Sequence, residues 1–299
     1  MLQKETRSLG AVLAILGVVL FSAKAIMVKL AYEYEIDSVS LLLLRMLFSL
    51  PIYVLIAVFV KPEKAKTLRK TDYFWLIFFG FVGYYLASFF DFLGLQYIKA
   101  GLERIVLFIY PTLVLLISRV FLKTKITKTQ IAAIGITYFG VVTAFVGELN
   151  LSGTHLYLGV SLIFLSALTY AMYLVGSGWL IPKFGVLCFT SYAMIVSTVC
   201  VLVHYFFSTR EIDLLSYPKQ VYFLGLLMAV LSTVIPSFLV SKSIKIIGSS
   251  NFSIIASIGP ISTIVLAYVF LGENLNLYQV IGTAIVIVGI YLVSRSKSS

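Results

Sequence analysis

Residues 109–123 read "IYPTLVLLISRVFLK", and residues 258–272 read "IGPISTIVLAYVFLG". The second stretch begins 149 residues after the first, half the length of the 299-residue chain, and repeats Ile109, Pro111, Val120, Phe121 and Leu122 as Ile258, Pro260, Val269, Phe270 and Leu271. The same slide brings Gly10 onto Gly159, Phe89 onto Phe238, Gln130 onto Gln279 and Gly140 onto Gly289. Between Ile98 and Gly140, ten of 43 positions are identical without a gap. The matched proline, glycine and glutamine are harder to obtain by chance than matched leucines. The sequence is therefore read as a tandem duplication, with copies over residues 1–149 and 150–299.

Hydrophobic residues make up 61% of the chain and charged ones 12%, against about 25% charged in an ordinary soluble domain. A water-soluble fold of this length could not hide so much apolar surface, so the solvent for most of the chain is a bilayer. In hydrocarbon every backbone polar group needs an internal partner, which leaves helices or closed barrels. The apolar runs are about 20 residues long, the length of a spanning helix rather than of a barrel strand. Ten spans are expected, near 9–31, 38–60, 73–97, 101–122, 126–147, 156–181, 187–208, 219–243, 249–271 and 276–294. The predicted fold class is thus an all-α integral membrane protein of ten transmembrane helices. Five spans per copy is an odd number, so the second copy enters the membrane from the opposite side. The two should form inverted-topology repeats around one midplane site.

A net charge of +11 could point to nucleic acid, but its distribution argues against that partner. Basic residues concentrate in alternate loops, most densely in "KPEKAKTLRK" at 61–70 and "KTKITK" at 123–128. That asymmetry places both termini in the cytoplasm by the positive-inside rule, and the 61–70 run is read as an orientation signal that touches anionic lipid. The expected location is the cell membrane, in bacteria the inner membrane. "SAKA" at 22–25 contains an Ala-x-Ala pattern, yet the apolar run continues to Leu30, so cleavage there is not expected. Cys188 and Cys200 offer no disulfide framework, and with His155 and His204 far apart neither a metal site nor a cofactor is expected.

Two longer stretches, "YIKAGLERIVLFIYPTLVLLISRVFLKTKITKTQIAAIGITYFGV" at 97–141 and "GSSNFSIIASIGPISTIVLAYVFLGENLNLYQVIGTAIVIVGIYLV" at 248–293, resemble the two copies of the EamA-type repeat of the drug/metabolite transporter superfamily. The shared pattern is small residues leading into a helix, a proline one-third along it, then Leu-Gly-Glu and a final helix with spaced glycines. The resemblance covers nearly the whole chain. It implies ten helices in two inverted repeats, and export or exchange of small organic solutes such as amino acids or other metabolites. The chain departs from the pattern at two places. "LKTK" at 122–125 puts Thr124 opposite Glu273 of "LGEN", and "LFSAKAIMVK" at 20–29 puts Lys24 where the family often carries asparagine.

Ionisable side chains at membrane depth cost about 2.5–3.5 kcal/mol each on insertion scales, so those present need a reason. Lys24, Arg45, Asp91 and Arg119 fall at membrane depth in predicted spans, with Lys29, Glu103 and Arg104 near helix ends. In the functional reading Lys24, Arg45 and Arg104 line an aqueous cavity, Asp91 holds one of these cations, and a solute with a carboxylate or similar anionic group balances the rest. In the structural reading Asp91 and one cation form a packing pair and the others reach the headgroups. Tyr173 aligns with Lys24 and could complete the cavity wall. Asp91 and Glu103 are the candidate proton carriers. Pro111 and Pro260 recur at one register, as a hinge or cavity wall would. Arg119 belongs to an inner gate or to the cytoplasmic surface.

An intramembrane enzyme or lipid-handling protein would need a catalytic set, and no His–Glu metal motif or close Ser–His pair is present. A channel would build its pore from oligomeric symmetry or a charged ring, neither of which the sequence displays. A pure scaffold gives no reason for charge at depth. The expectation is therefore a secondary carrier without ATP. Its partners are a small solute, membrane lipid and a proton or counter-solute, and it works as a monomer or homodimer.

Overall fold

The computed structural model describes residues 2–98, 103, 106–145, 155–208, 214, 216–271 and 277–295. Helices account for nearly all of them, and they fall into ten spans. In the first copy these are α1 (Leu2–Tyr32), α2 (Ser38–Phe59), α3 (Lys70–Tyr97), α4 (Tyr110–Phe121) and α5 (Lys128–Phe145). In the second they are α6 (Leu156–Phe184), α7 (Val186–Ser208), α8 (Lys219–Ile247), α9 (Ser249–Ile255 continued by Ile258–Leu271) and α10 (Leu277–Arg295). Among the described residues seven helices are long and apolar enough to cross a membrane, and Tyr110–Phe121 and Val280–Leu292 are shorter apolar helices.

Short connections force neighbouring spans to alternate in direction, and local chemistry makes the connections short. Asp37 caps α2 by accepting hydrogen bonds from the Val39 and Ser40 amides, each 2.9 Å, which satisfies two of the helix's orphan donors. Gly185, at φ +83°, joins α6 to α7 with one residue, and Gly248, at φ +80°, does the same between α8 and α9. Both sit in left-handed backbone that a side chain would strain.

The copies pack as a pseudo-two-fold pair. α1 lies against α8 and α9, and α6 lies against α3 and α4; α2 and α7 meet each other, as do α5 and α10. Individual contacts obey the same rule. Gly10 abuts Ile246 and Ile247, and its mate Gly159 abuts Tyr97 and Ile98, the mates of those isoleucines. Gly140 abuts Gly282 and Val286, while Gly289 abuts Ala133 and Thr137. Along α1 the partners on α8 run backwards, from Ser243 at Gly10 to Ser232 at Leu20, so mated surfaces meet antiparallel. Bulky residues such as Phe59, Phe139, Phe207 and Phe270 remain exposed on the outside of the bundle, the surface that lipid covers.

Two features depart from continuous helices. α3 widens into a π turn at Phe81–Leu86, and α8 does so at Val230–Val234, the mated register. The span expected as one helix over 249–271 breaks at Ala256–Ser257, and a turn at Phe108–Ile109 precedes α4. Pro111 and Pro260 are thus not set inside unbroken helices. Each follows a break in the first turn of a new segment, where the missing amide proton costs nothing.

Candidate functional site

One face of α3 organises the site. Ser88, Asp91 and Phe92, spaced i, i+3 and i+4, share one side of that helix. Lys24 Nζ on α1 donates to Asp91 Oδ2, closing an ion pair with the carboxylate almost fully buried and the ammonium partly open. Arg45 Nη2 on α2 donates to Ser88 Oγ at 2.9 Å, and the guanidinium carbon lies 5.0 Å from the centre of the Phe92 ring. Arg45 is 3% exposed, and its Nε has no hydrogen-bond partner among the described residues. One turn on, Tyr32 donates to the Phe92 carbonyl at 2.7 Å and Lys29 to the Leu95 carbonyl at 2.5 Å. These bonds tie α1 to α3.

Lys24, Arg45, Ser88 and Asp91 edge a cavity of about 110 Å³, room for a handful of waters or a small solute, given roughly 10–15 Å³ for each water centre. Four pairs of mated positions contribute to the other walls. Phe21 and Tyr170 line it together, as do Tyr84 and Thr233, Leu107 and Ala256, and Tyr110 and Gly259. The cavity therefore straddles the pseudo-two-fold axis. Both π turns reach it, through Tyr84 and Thr233, and both helix breaks do, through Phe108 and Ala256. π turns are rare and recur at functional sites; a mated pair at one cavity ties that pattern to the duplication.

The charges have no echo. The mates of Lys24, Arg45 and Asp91 are Tyr173, Met194 and Val240, each buried at 1% exposure or less. The cavity thus has a charged wall supplied by α1, α2 and α3, while the second copy supplies only neutral residues to it, among them Ser166, Tyr170, Thr233 and Pro260.

Of the residues singled out from the sequence, the structure gathers Lys24, Arg45, Asp91 and Pro260 at the cavity. Pro111 is buried beside Tyr110, which lines it. Tyr173 stands one layer behind, its ring 4.7 Å from that of Tyr84 and its Cβ filling the space left by Gly83. Glu103 is fully buried and electrostatically close to Lys29 rather than at the cavity. Arg119 is exposed on the last turn of α4. Arg104 lies outside the described residues. Ser88 and Phe92 went unnoticed in the sequence. Ser88 carried a usable signal, because it is identical to its mate Ser237; Phe92 carried none.

Comparison with known proteins agrees with this architecture. Two segments, residues 8–146 and 157–295, match the model of the EamA-like transporter family. The uncharacterized transporter YcbK of Bacillus subtilis (strain 168) is 31% identical over 277 residues, covering 91% of this chain and 88% of its own. An uncharacterized transporter of Archaeoglobus fulgidus is 26% identical over 255 residues, covering 85% and 87%. A solved crystal structure superposes with a TM-score of 0.76 over 96% of this chain and 98% of its own; at 13% identity that likeness concerns the fold alone.

Proposed function

The chain belongs to the EamA-like transporter family, and from that premise we propose that it is a secondary carrier that exports or exchanges a small organic solute bearing a carboxylate or similar anionic group, by alternating access. The observation that carries the reading is the cavity on the pseudo-two-fold axis with Lys24 and Arg45 facing one carboxylate, Asp91. Among the described residues, two cations against one acid leave a deficit of negative charge in a partly desolvated site. A carboxylate would fill that deficit, and the planar fork of Arg45 suits two-point recognition of such a group. The helical segments that begin at Tyr110 and Ile258 start at this cavity, and helix N-termini carry positive dipole ends that favour anions. Phe21, Tyr84, Tyr110 and Tyr170 offer apolar faces to the rest of an organic solute.

The orientation belongs to the same proposal. With the 61–70 run facing the cytoplasm, both termini are cytoplasmic and the cavity lies in the outer half of the bundle, near the α1–α2 turn. The two copies, residues 1–149 and 150–299, are the units that exchange conformations. Asp91 and Glu103 are the carboxylates through which a proton could be coupled.

Counterflow in proteoliposomes against a panel of metabolites, with and without a pH gradient, tests this reading. Organic acids and amino acids should drive exchange. Lys24→Ala, Arg45→Ala and Asp91→Ala should each abolish or strongly reduce it. Exchange indifferent to all three substitutions would overturn the site assignment.

A further inference from the structure

The cavity extends from the pseudo-two-fold axis toward one side, where Lys24, Arg45 and Asp91 line it, and the 149-residue register locates its counterpart. In the cavity wall Ser88 accepts a hydrogen bond from Arg45 of α2. Its mate in the second copy, Ser237, is hydrogen-bonded to Tyr53, about two turns further along the same helix, with 2.8 Å between the oxygens. α2 therefore holds the same serine of both copies, with a guanidinium at the cavity and with a phenol where both partners are fully buried.

The groups around Ser237 extend the pattern. Tyr173, the mate of Lys24, touches the Tyr84 ring and has Ser177 and Ser241 as side-chain neighbours. Ser241 accepts a hydrogen bond from Thr190 at 2.7 Å. Tyr53, Tyr173, Ser177, Thr190, Ser237 and Ser241 are all buried at 1% exposure or less. They form a file of hydroxyls from the cavity wall toward the bundle end that carries residues 60–72. At that end the copies are fastened together: Lys183 Nζ donates to Asp72 Oδ1 at 2.6 Å and Lys245 Nζ to Glu63 Oε1 at 2.6 Å. The Glu63 and Lys64 amides also bond the Phe184 and Lys183 carbonyls, at 3.1 and 3.0 Å.

Packing alone explains this file poorly. Hydrogen bonds between membrane helices contribute little on average, so an apolar pair would serve a permanent core as well. Ser257, the mate of the cavity residue Phe108, is fully buried with no hydrogen-bond partner for its Oγ among the described residues. Burying such a hydroxyl without a partner is costly. That burden has a use if the seam opens to water in another state.

We propose that this hydroxyl-lined seam is the second half of the solute path, collapsed in this conformation and opened when the two copies exchange conformations. It rests on the alternating-access reading above. On opening, Ser237 leaves Tyr53 and the Asp72–Lys183 and Glu63–Lys245 pairs part. Because Tyr173, Met194 and Val240 stand where the first copy has its charges, the solute leaves its ionic partners on entering the seam. The seam therefore governs passage between the cavity and the face that carries residues 61–70 rather than recognition.

Cysteine accessibility tests the proposal. In a full-length carrier with Cys188→Ser and Cys200→Ser, single Ser88→Cys, Ser237→Cys and Ser241→Cys substitutions are labelled with a membrane-impermeant methanethiosulfonate, applied separately to each membrane face. Ser88→Cys should label from the face opposite residues 61–70. Ser237→Cys and Ser241→Cys should label from the face that carries residues 61–70. Adding Glu63→Gln and Asp72→Asn should speed the latter reactions at least tenfold and slow that of Ser88→Cys. Ser241→Cys gives an independent reading if Ser237→Cys fails to fold. Labelling of Ser88→Cys with both seam positions inert, even in the released background, overturns the seam and leaves the cavity standing. An inert Ser88→Cys overturns the cavity, and the seam with it.

Discussion

Removal of Lys24 should cost the protein more than removal of its partner. The ion pair is unequally sealed: the Asp91 side chain is 2% exposed and that of Lys24 14%, its ammonium reaching the cavity. Lys24→Met takes from the buried Asp91 carboxylate the ammonium that bonds it. Stranding one member of a buried pair typically costs about 3–5 kcal/mol. Arg45 lies close enough to compensate in part, which sets the expectation near the lower bound, about 3 kcal/mol. Asp91→Asn leaves instead an ammonium that cavity water can solvate, and should cost about 1–2 kcal/mol. The double variant Lys24→Met/Asp91→Asn should be no less stable than Lys24→Met alone, which gives a coupling on the order of 1–2 kcal/mol. Thermal unfolding of purified protein in nanodiscs reads this out. At about 2–4 °C per kcal/mol, Lys24→Met should lower the midpoint by roughly 6–12 °C and Asp91→Asn by roughly 2–8 °C. The reasoning is refuted if Asp91→Asn proves the more damaging change, or if the two losses simply add.

Other outcomes follow from individual contacts. Arg45→Lys keeps the charge but loses the planar fork above Phe92; apparent affinity for an anionic solute in competitive counterflow should fall about tenfold or more, and an unchanged affinity would remove Arg45 from recognition. At Gly83 an added Cβ would lie 2.0 Å from Tyr173 Cβ, whereas at Gly135 it would meet nothing within 4 Å. Gly83→Ala should therefore destabilise by about 1–3 kcal/mol and Gly135→Ala should be neutral or stabilising by up to about 1 kcal/mol, a contrast that melting curves resolve. Cysteines placed at Thr67 and Ser216, in mated connections of the two copies, should react with an impermeant maleimide from opposite membrane faces. Reaction from one common face would contradict the inverted arrangement.

The helices and their duplication were legible because both are one-dimensional properties. Twenty apolar residues in a row span a bilayer whatever their neighbours do. Two copies of one gene segment keep their register wherever proline, glycine and glutamine cannot easily be exchanged. The charges at depth were legible too, since Lys24, Arg45 and Asp91 stand out against leucine and valine on composition alone. Their arrangement was not. Any of three cations could have met Asp91, and only the crossing of α1 over α3 assigns it to Lys24.

Tyr173 shows the limit most clearly. It shares a register with Lys24, yet Tyr84 stands between it and the cavity, because the two copies occupy different conformations and mated residues no longer have equivalent surroundings. The π turns left no sequence signature, as a shift from i→i+4 to i→i+5 bonding requires no particular residue. The sequence by itself determined which segments cross and that they come in two related sets. Only the tertiary structure decided where the cavity lies and which side chains meet there. Those depend on how two nearly equal halves settle against each other, a balance of many small packing terms that no local stretch encodes.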